Sequence, residues 1–171
     1  MSAFKCATGE DSFRSVLSIL TPEEAEACGG LPGEAIAGTL QSDPTPSAST
    51  PGGKQPSGSD AASGFKPNPL FSAFMHNVIR THGPLDQSLQ QAAENQRTGY
   101  LYVIDFRTPD GIMGRVPPHD IVGAFAVNDG RIGDYQPNAN HRLFTEHGLV
   151  KLPPSLAKAH TEELKRLRVQ S

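Results

Sequence analysis

Residues 100–106 of the chain read YLYVIDF, and this stretch decides the predicted fold. All of its side chains except that of Asp105 are apolar or aromatic, so both faces of an extended chain are apolar here. A strand that is apolar on both faces is typical of the centre of a sheet. We therefore expect a central strand at this position, with the flanking chain folded around it.

Turn residues separate the short apolar runs that follow. The sequence TPDG at residues 108–111 is a strong turn signal, and residues 112–116 are expected to return as a partner strand. The run GAFAV at residues 123–127 predicts a further strand. A two-residue loop of Asp129 and Gly130 then reverses the chain. These consecutive hairpins favour an antiparallel sheet.

The register of the second hairpin follows from its loop, which places Val127 opposite Ile132. A last hairpin is expected from residues 141–145 and 149–152, joined by a turn at residues 146–148.

Helical periodicity flanks this β-region on both sides. Asn68 and Pro69 predict the start of a well-buried helix, and a weaker stripe predicts a second helix over residues 84–97. A final helix from Pro153 carries one apolar face, formed by Leu156, His160, Leu164 and Leu167. The predicted class is α+β, with a small, mainly antiparallel sheet, two helices before it and one after it.

Residues 41–66 have a different composition from the rest of the chain. Fourteen of these 26 residues are Ser, Pro or Gly, and Phe65 is the only large apolar side chain. Such a segment cannot bury enough apolar surface to offset its ordering entropy. We therefore expect three parts: a short acidic helical segment at 1–40, a disordered linker at 41–66, and a compact α+β domain at 67–171.

Two short helices are predicted in the first part. Asp11 caps a helix with an apolar stripe at Phe13, Val16, Leu17 and Leu20. A capping box at Thr21 to Glu24 starts a second helix, which ends near Gly29. The stripe makes this segment a candidate docking element for a protein partner. The alternative is a helix pair that packs on its own domain.

The charge of the chain argues against several function classes. The net charge is −3 and the isoelectric point is about 6.0, so we expect no nucleic-acid partner. No apolar run is long enough for a membrane span, and no secretory signal is visible, so a soluble cytoplasmic protein is expected.

Cys6 and Cys28 are interpreted as free thiols, with a disulfide between them as the alternative.

Histidines and acids in the predicted loops are the weak candidates for catalysis: His119, Asp120, His141 and His147. Such side chains can bind a divalent metal or transfer protons. Their spacing matches no metal-binding motif, and we assign no metal and no cofactor. The alternative is that they are turn-forming residues on a solvated edge.

A second candidate is the polar loop after residue 134, whose predicted binding residues are Tyr135, Asn138, Asn140, His141 and Arg142. These side chains can hold a peptide or a small polar ligand, or they can cap their own backbone.

Asp105 lies inside the apolar run, and an inward-facing carboxylate there needs a partner. Arg107 and Arg115 are the partners available nearby, and a solvent-facing position or a catalytic acid are the alternatives.

These observations favour a non-enzymatic interaction or accessory protein of a bacterial cell. The bacterial origin rests on the composition, which is rich in Ala, Gly and Pro. The alternative is a small metal-assisted hydrolase that uses the loop histidines and acids of the β-region. A third hypothesis is an effector or a toxin-neutralising protein of a mobile genetic element.

Overall fold

A computed structural model describes residues 2–7, 13–40, 64–107 and 116–169. These residues form helices and antiparallel sheets, which confirms the predicted α+β class. The helices are α1 (Pro22–Ala27), α2 (Pro69–His82), α3 (Gln87–Gln96) and α4 (Pro154–Val169). The strands are β1 (Ser2–Ala7), β2 (Phe13–Ser18), β3 (Ile36–Leu40), β4 (Phe65–Pro67), β5 (Gly99–Ile104), β6 (Ile121–Asn128), β7 (Arg131–Pro137), β8 (Phe144–Thr145) and β9 (Gly148–Leu149).

The N-terminal segment forms a four-stranded antiparallel sheet in the order β1-β2-β3-β4. The helix predicted to follow Asp11 is therefore wrong, because Phe13–Ser18 is the strand β2. Val16, Leu17 and Ser18 are all buried in succession. A strand covered on both faces has this pattern, whereas a surface helix buries one stripe only. In so short a run, periodicity alone did not separate the two.

The same segment packs against the C-terminal helix. Leu20, Cys28 and Ala35 form one buried cluster with Leu164 of α4. Cys28 is a free, buried cysteine, as the free-thiol interpretation expects. The described residues of this segment therefore pack against α4, but as a strand and a helix and not as the helix pair of the alternative.

The predicted second helix of this segment is confirmed as α1. Thr21 accepts a hydrogen bond from the Glu24 amide, and the Glu24 carboxylate accepts one from the Thr21 amide. This reciprocal pair is the predicted capping box.

Strand β4 lies at the boundary predicted between the linker and the main domain. Phe65 and Lys66, assigned to the linker, pair with Leu40 and Thr39 of β3. Residues 41–63 lie outside the described residues, so the disordered linker and the division into three parts stay predictions. Asn68 connects the start of α2 to the N-terminal segment, because its side-chain amide donates to the carbonyls of Gly33 and Ile36 at 2.8 Å each.

The second sheet has the order β5-β6-β7, so β6 is its central strand. Within the described residues β5 pairs with β6 alone, so a central position for residues 100–106 depends on the strand expected at 112–116 and stays a prediction. The strand is not covered on both faces, however. Tyr100 and Tyr102 leave about half of their surface exposed, at 52% and 54%. Aromatic side chains fit the solvent face of a half-buried strand as readily as its core face. The proposed partner strand at 112–116 lies outside the described residues, apart from Val116.

The hairpin between β6 and β7 is confirmed, with Val127 opposite Ile132. Asp129 and Gly130 have φ angles of 50° and 75°, which the tight turn requires. The final hairpin is confirmed in a shorter form, with Thr145 opposite Gly148.

The helices cover one face of this second sheet. Helix α2 begins after Asn68, whose side chain caps the Leu70 amide at 3.1 Å. Helix α3 begins at Gln87, later than predicted, because residues Gly83–Leu85 form a 3-10 turn and Asp86 caps the helix. The main core lies between α2, α4 and the inner sheet face; its largest fully buried side chains include Phe71, Met75, Ile79, Phe125 and Leu156.

Candidate functional site

A buried carboxylate, that of Asp105, lies at the centre of the candidate site just after β5. Its Oδ1 accepts hydrogen bonds from the backbone amides of Arg107 at 3.1 Å and Lys151 at 2.9 Å. Its Oδ2 contacts the Arg107 guanidinium at 2.8 Å and His141 Nε2 at 3.1 Å. The predicted ion pair with Arg107 is confirmed. Four donors therefore satisfy the hydrogen-bonding capacity of this carboxylate inside the protein.

Arg107 connects this carboxylate to the chain around β8 and β9. Its guanidinium donates to the carbonyls of Arg142 at 2.6 Å, Gly148 at 3.0 Å and Leu143 at 3.2 Å. It also approaches Asp120 Oδ1 at 3.5 Å. The planar guanidinium can meet several oxygens at once, so it fixes these loops relative to β5.

His119 and Asp120 reach the site from the 3-10 turn Pro118–Asp120, which precedes β6. Asp120 is buried, and its carboxylate lies 3.9 Å from His119 Nε2. The His119 side chain remains 43% exposed. Asp120 and Asp105 are adjacent, because the Asp105 amide donates to the Asp120 carbonyl at 2.8 Å and Arg107 Nη2 contacts both carboxylates.

A cleft of about 390 Å³ opens between α2 and the loop after β7. His141 lines it, with its side chain only 3% exposed. The remaining lining residues are Ser72, His76, Pro137, Asn138, Ala139 and Leu143. Because a carboxylate only accepts hydrogen bonds, His141 Nε2 donates to Asp105, and Nδ1 is an acceptor or a base whenever the ring is neutral.

The second imidazole of the cleft is that of His76 on α2. Its Nδ1 lies 2.9 Å from the hydroxyl of Tyr135 on β7. Burial, followed by the charges of His141 and Arg80, lowers the pKa of His76 to about 4. Burial also raises the pKa of the Tyr135 hydroxyl, which keeps its proton. The His76 ring is therefore neutral at pH 7 and is anchored through one nitrogen.

The predicted catalytic candidates are brought together only in part. His119, Asp120 and His141 surround the Asp105–Arg107 pair, directly or through a shared partner. His147 occupies the turn between β8 and β9, where its side chain is 55% exposed and contacts Glu146. The structure therefore places His147 in a different setting from the other three.

The predicted binding loop mostly bonds to its own protein. The Asn138 side-chain amide donates to the carbonyls of Pro118 and Ile121, and its oxygen accepts from the Asn140 amide. Tyr135 is buried against His76, and Asn140 and Arg142 are exposed. Asn138 and His141 line the cleft; the other three predicted residues are absent from its lining among the described residues.

Two cleft residues, Ser72 and His76, escaped the sequence analysis. The neighbouring histidine of α2, His82, does not share this site, because its ring contacts Glu163 at 3.1 Å. Ser72 precedes His76 by four residues, so both lie on one face of α2, next to its apolar stripe. That spacing was the only available signal, and it is common in helices.

Within the described ranges, no group of three or more His, Cys, Asp or Glu side chains is arranged to hold a metal ion. The helices in these ranges also include none that is long and apolar enough to cross a membrane. The fold and site define an α+β protein with a histidine-lined cleft. In comparisons with known proteins, no family model, no curated protein and no solved structure matches the chain.

Proposed function

We propose that this chain is a non-enzymatic binding protein of the bacterial cytoplasm that holds a small polar ligand in the cleft. The observation that carries the proposal is the arrangement of its two imidazoles. His141 is held by Asp105 and His76 by Tyr135, each through one ring nitrogen. The second nitrogen of each ring has no hydrogen-bond partner among the described residues and is left for a ligand.

Preorganisation supports this interpretation. Asp105 is fixed by backbone amides and by Arg107, and Tyr135 is buried against Phe125 at a ring-centroid distance of 4.9 Å. Rings held in this way lose little rotational freedom when they bind a ligand. A few fixed polar groups in a concave, partly apolar site are typical of small-molecule binding sites.

A ligand screen observed by amide NMR tests the proposal. We expect chemical-shift changes to cluster at Ser72, His76 and Ala139 for any small polar compound that binds. His141→Ala should abolish these changes, whereas His147→Ala, at an exposed turn, should leave them intact. If every binding compound shifts resonances around Tyr100 and Tyr102 instead, the cleft is not the binding site.

A second candidate function is hydrolysis, and the Asp105–His141 contact specifically favours it. A histidine oriented by a buried carboxylate is a competent general base. The metal-assisted form of this hypothesis uses the four residues that the sequence predicts as catalytic candidates, His119, Asp120, His141 and His147. Assays of activated esters and phosphate esters, with and without added Zn²⁺ or Mn²⁺, separate the two functions. Turnover that His141→Ala abolishes would support hydrolysis.

A protein partner at the N-terminal segment remains part of the proposal. Its support is the exposed acidic surface of α1, which includes Glu23 and Glu26. Deleting the segment is an unsuitable test because it would remove β2 and β3 and expose the cluster around Leu164. Reversing the charges with Glu23→Lys and Glu26→Lys preserves the fold. If a pull-down recovers the same proteins with the double variant as with wild type, this surface is not the docking site.

A further inference from the structure

We propose that the cleft ligand carries an oxyanion group, and that His76 takes up a proton when that group binds. This inference rests on the proposed function of the cleft and adds the chemical class of its ligand. It also assigns a titrating role to His76.

The charges around the cleft favour an anion. Among the residues that the structure describes, none that lines the cleft is acidic. Arg80 follows His76 by four residues on α2, so the two share a helix face, and its charge acts on both His76 and Tyr135. Arg80 is exposed and makes no ion pair with the part of the chain that is described. A cation that is not neutralised within the protein attracts an anion to the neighbouring site.

Asp105 does not cancel this field at the cleft surface. It lies behind His141 and is already bonded by two amides, the Arg107 guanidinium and the His141 ring. Among the described residues, His141 lines the cleft and Asp105 does not, so the ring lies between this carboxylate and the cleft.

Hydrogen-bond donors explain the proton uptake. Protonated His76 donates from Nδ1 to the Tyr135 hydroxyl and from Nε2 into the cleft, where the Ser72 hydroxyl can donate as well. The titratable and charged groups that face His76 are Tyr135 from β7, His141 from the following loop and Arg80 from its own helix. None is a carboxylate, so burial, to which the charges of His141 and Arg80 add, holds the ring neutral until an anion arrives.

The expected pH dependence follows from linkage between proton and anion binding. With a pKa of about 4 in the free protein, His76 is almost fully neutral between pH 7 and pH 5. A bound anion that raises this pKa to roughly 6 makes binding about tenfold tighter at pH 5 than at pH 7. A cleft that binds without proton uptake shows no such change.

Sulfate is a suitable probe because its charge stays constant across this range. We would measure its affinity by isothermal titration at pH 5 and pH 7, at constant ionic strength set with chloride. Two buffers of different ionisation enthalpy report the number of protons taken up. His76→Asn retains a group that can bond to Tyr135 but cannot titrate, and His147→Asn is the matched control.

The expected result is tighter binding at low pH with proton uptake in wild type and in His147→Asn, and neither effect in His76→Asn. Arg80→Gln should weaken sulfate binding at both pH values. Equal affinity at the two pH values, or proton uptake that persists in His76→Asn, overturns the role of His76. If sulfate, phosphate and acetate all fail to shift cleft resonances while a neutral compound shifts them, the oxyanion class is wrong and the binding cleft stands.

Discussion

Acidification is expected to destabilise the protein through one buried side chain, that of His160 on α4. Its ring is fully buried and packs against Phe71 and Phe74 of α2, at ring-centroid distances of 5.5 and 5.1 Å. Both ring nitrogens are buried without a hydrogen-bond partner among the described residues. Burial lowers the pKa of His160 to about 4. The neutral ring is therefore tolerated between the two helices, and the protonated ring is not.

The sign and size of the effect follow from the two pKa values. The folded-state pKa lies below the unfolded value of 6.5, so the contribution is fully present above pH 6.5 and is lost as the pH falls toward 4. The interval from 6.5 to about 4 corresponds to roughly 3 kcal/mol in the free energy of unfolding. About 2 kcal/mol of this should be lost by pH 5.

Urea unfolding at pH 7 and pH 5 measures this loss. Other groups also titrate, including His76, so the test compares wild type with His160→Leu, which has similar volume and no titrating group. We expect the leucine variant to be more stable at pH 7 by about 1–3 kcal/mol, because two unsatisfied polar atoms are removed. It should lose about 2 kcal/mol less than wild type on acidification. Equal losses in the two proteins would refute the reasoning, and His147→Leu should behave as wild type.

Three further substitutions test the fold, each by urea unfolding at pH 7. Asp105→Ala leaves Arg107 buried without its main partner and should cost about 3–5 kcal/mol; a loss below 1 kcal/mol contradicts a buried pair. Asn68→Ala removes a helix cap and two hydrogen bonds to the N-terminal segment, and should lower the free energy of unfolding by about 2–3 kcal/mol. An unchanged unfolding midpoint argues against the cap and the two hydrogen bonds. Gly130→Ala strains a residue at φ 75° and should cost about 1 kcal/mol; a neutral result contradicts the turn.

Local signals predicted the elements whose geometry depends on neighbouring residues. The Asp129-Gly130 loop set the pairing of Val127 with Ile132, because positive φ angles and a two-residue loop leave little choice of register. The capping box at Thr21 and the Asn68 cap likewise mark the starts of α1 and α2. In each case the interacting groups lie within five residues of one another.

The predictions were wrong for segments whose burial depends on residues that are far away in the sequence. Phe13–Ser18 has an apolar pattern that fits either a helix or a covered strand, and its place between β1 and β3 selects the strand. For YLYVIDF, the face that carries Tyr100 and Tyr102 is about half exposed, because no described element covers it fully. Apolar composition indicated that both segments are ordered, but it did not indicate which surfaces would cover them.

The candidate site shows most clearly which contacts the sequence predicts and which depend on the tertiary structure. Residue types alone predicted that an inward-facing Asp105 needs a cationic partner, because a buried carboxylate cannot remain unpaired, and Arg107 is only two residues away. The contacts of His141 with Asp105 and of His76 with Tyr135 span 36 and 59 residues. Only the packing of α2 and the β7 loop against the sheet brings these rings into one cleft, since no local preference acts over such separations.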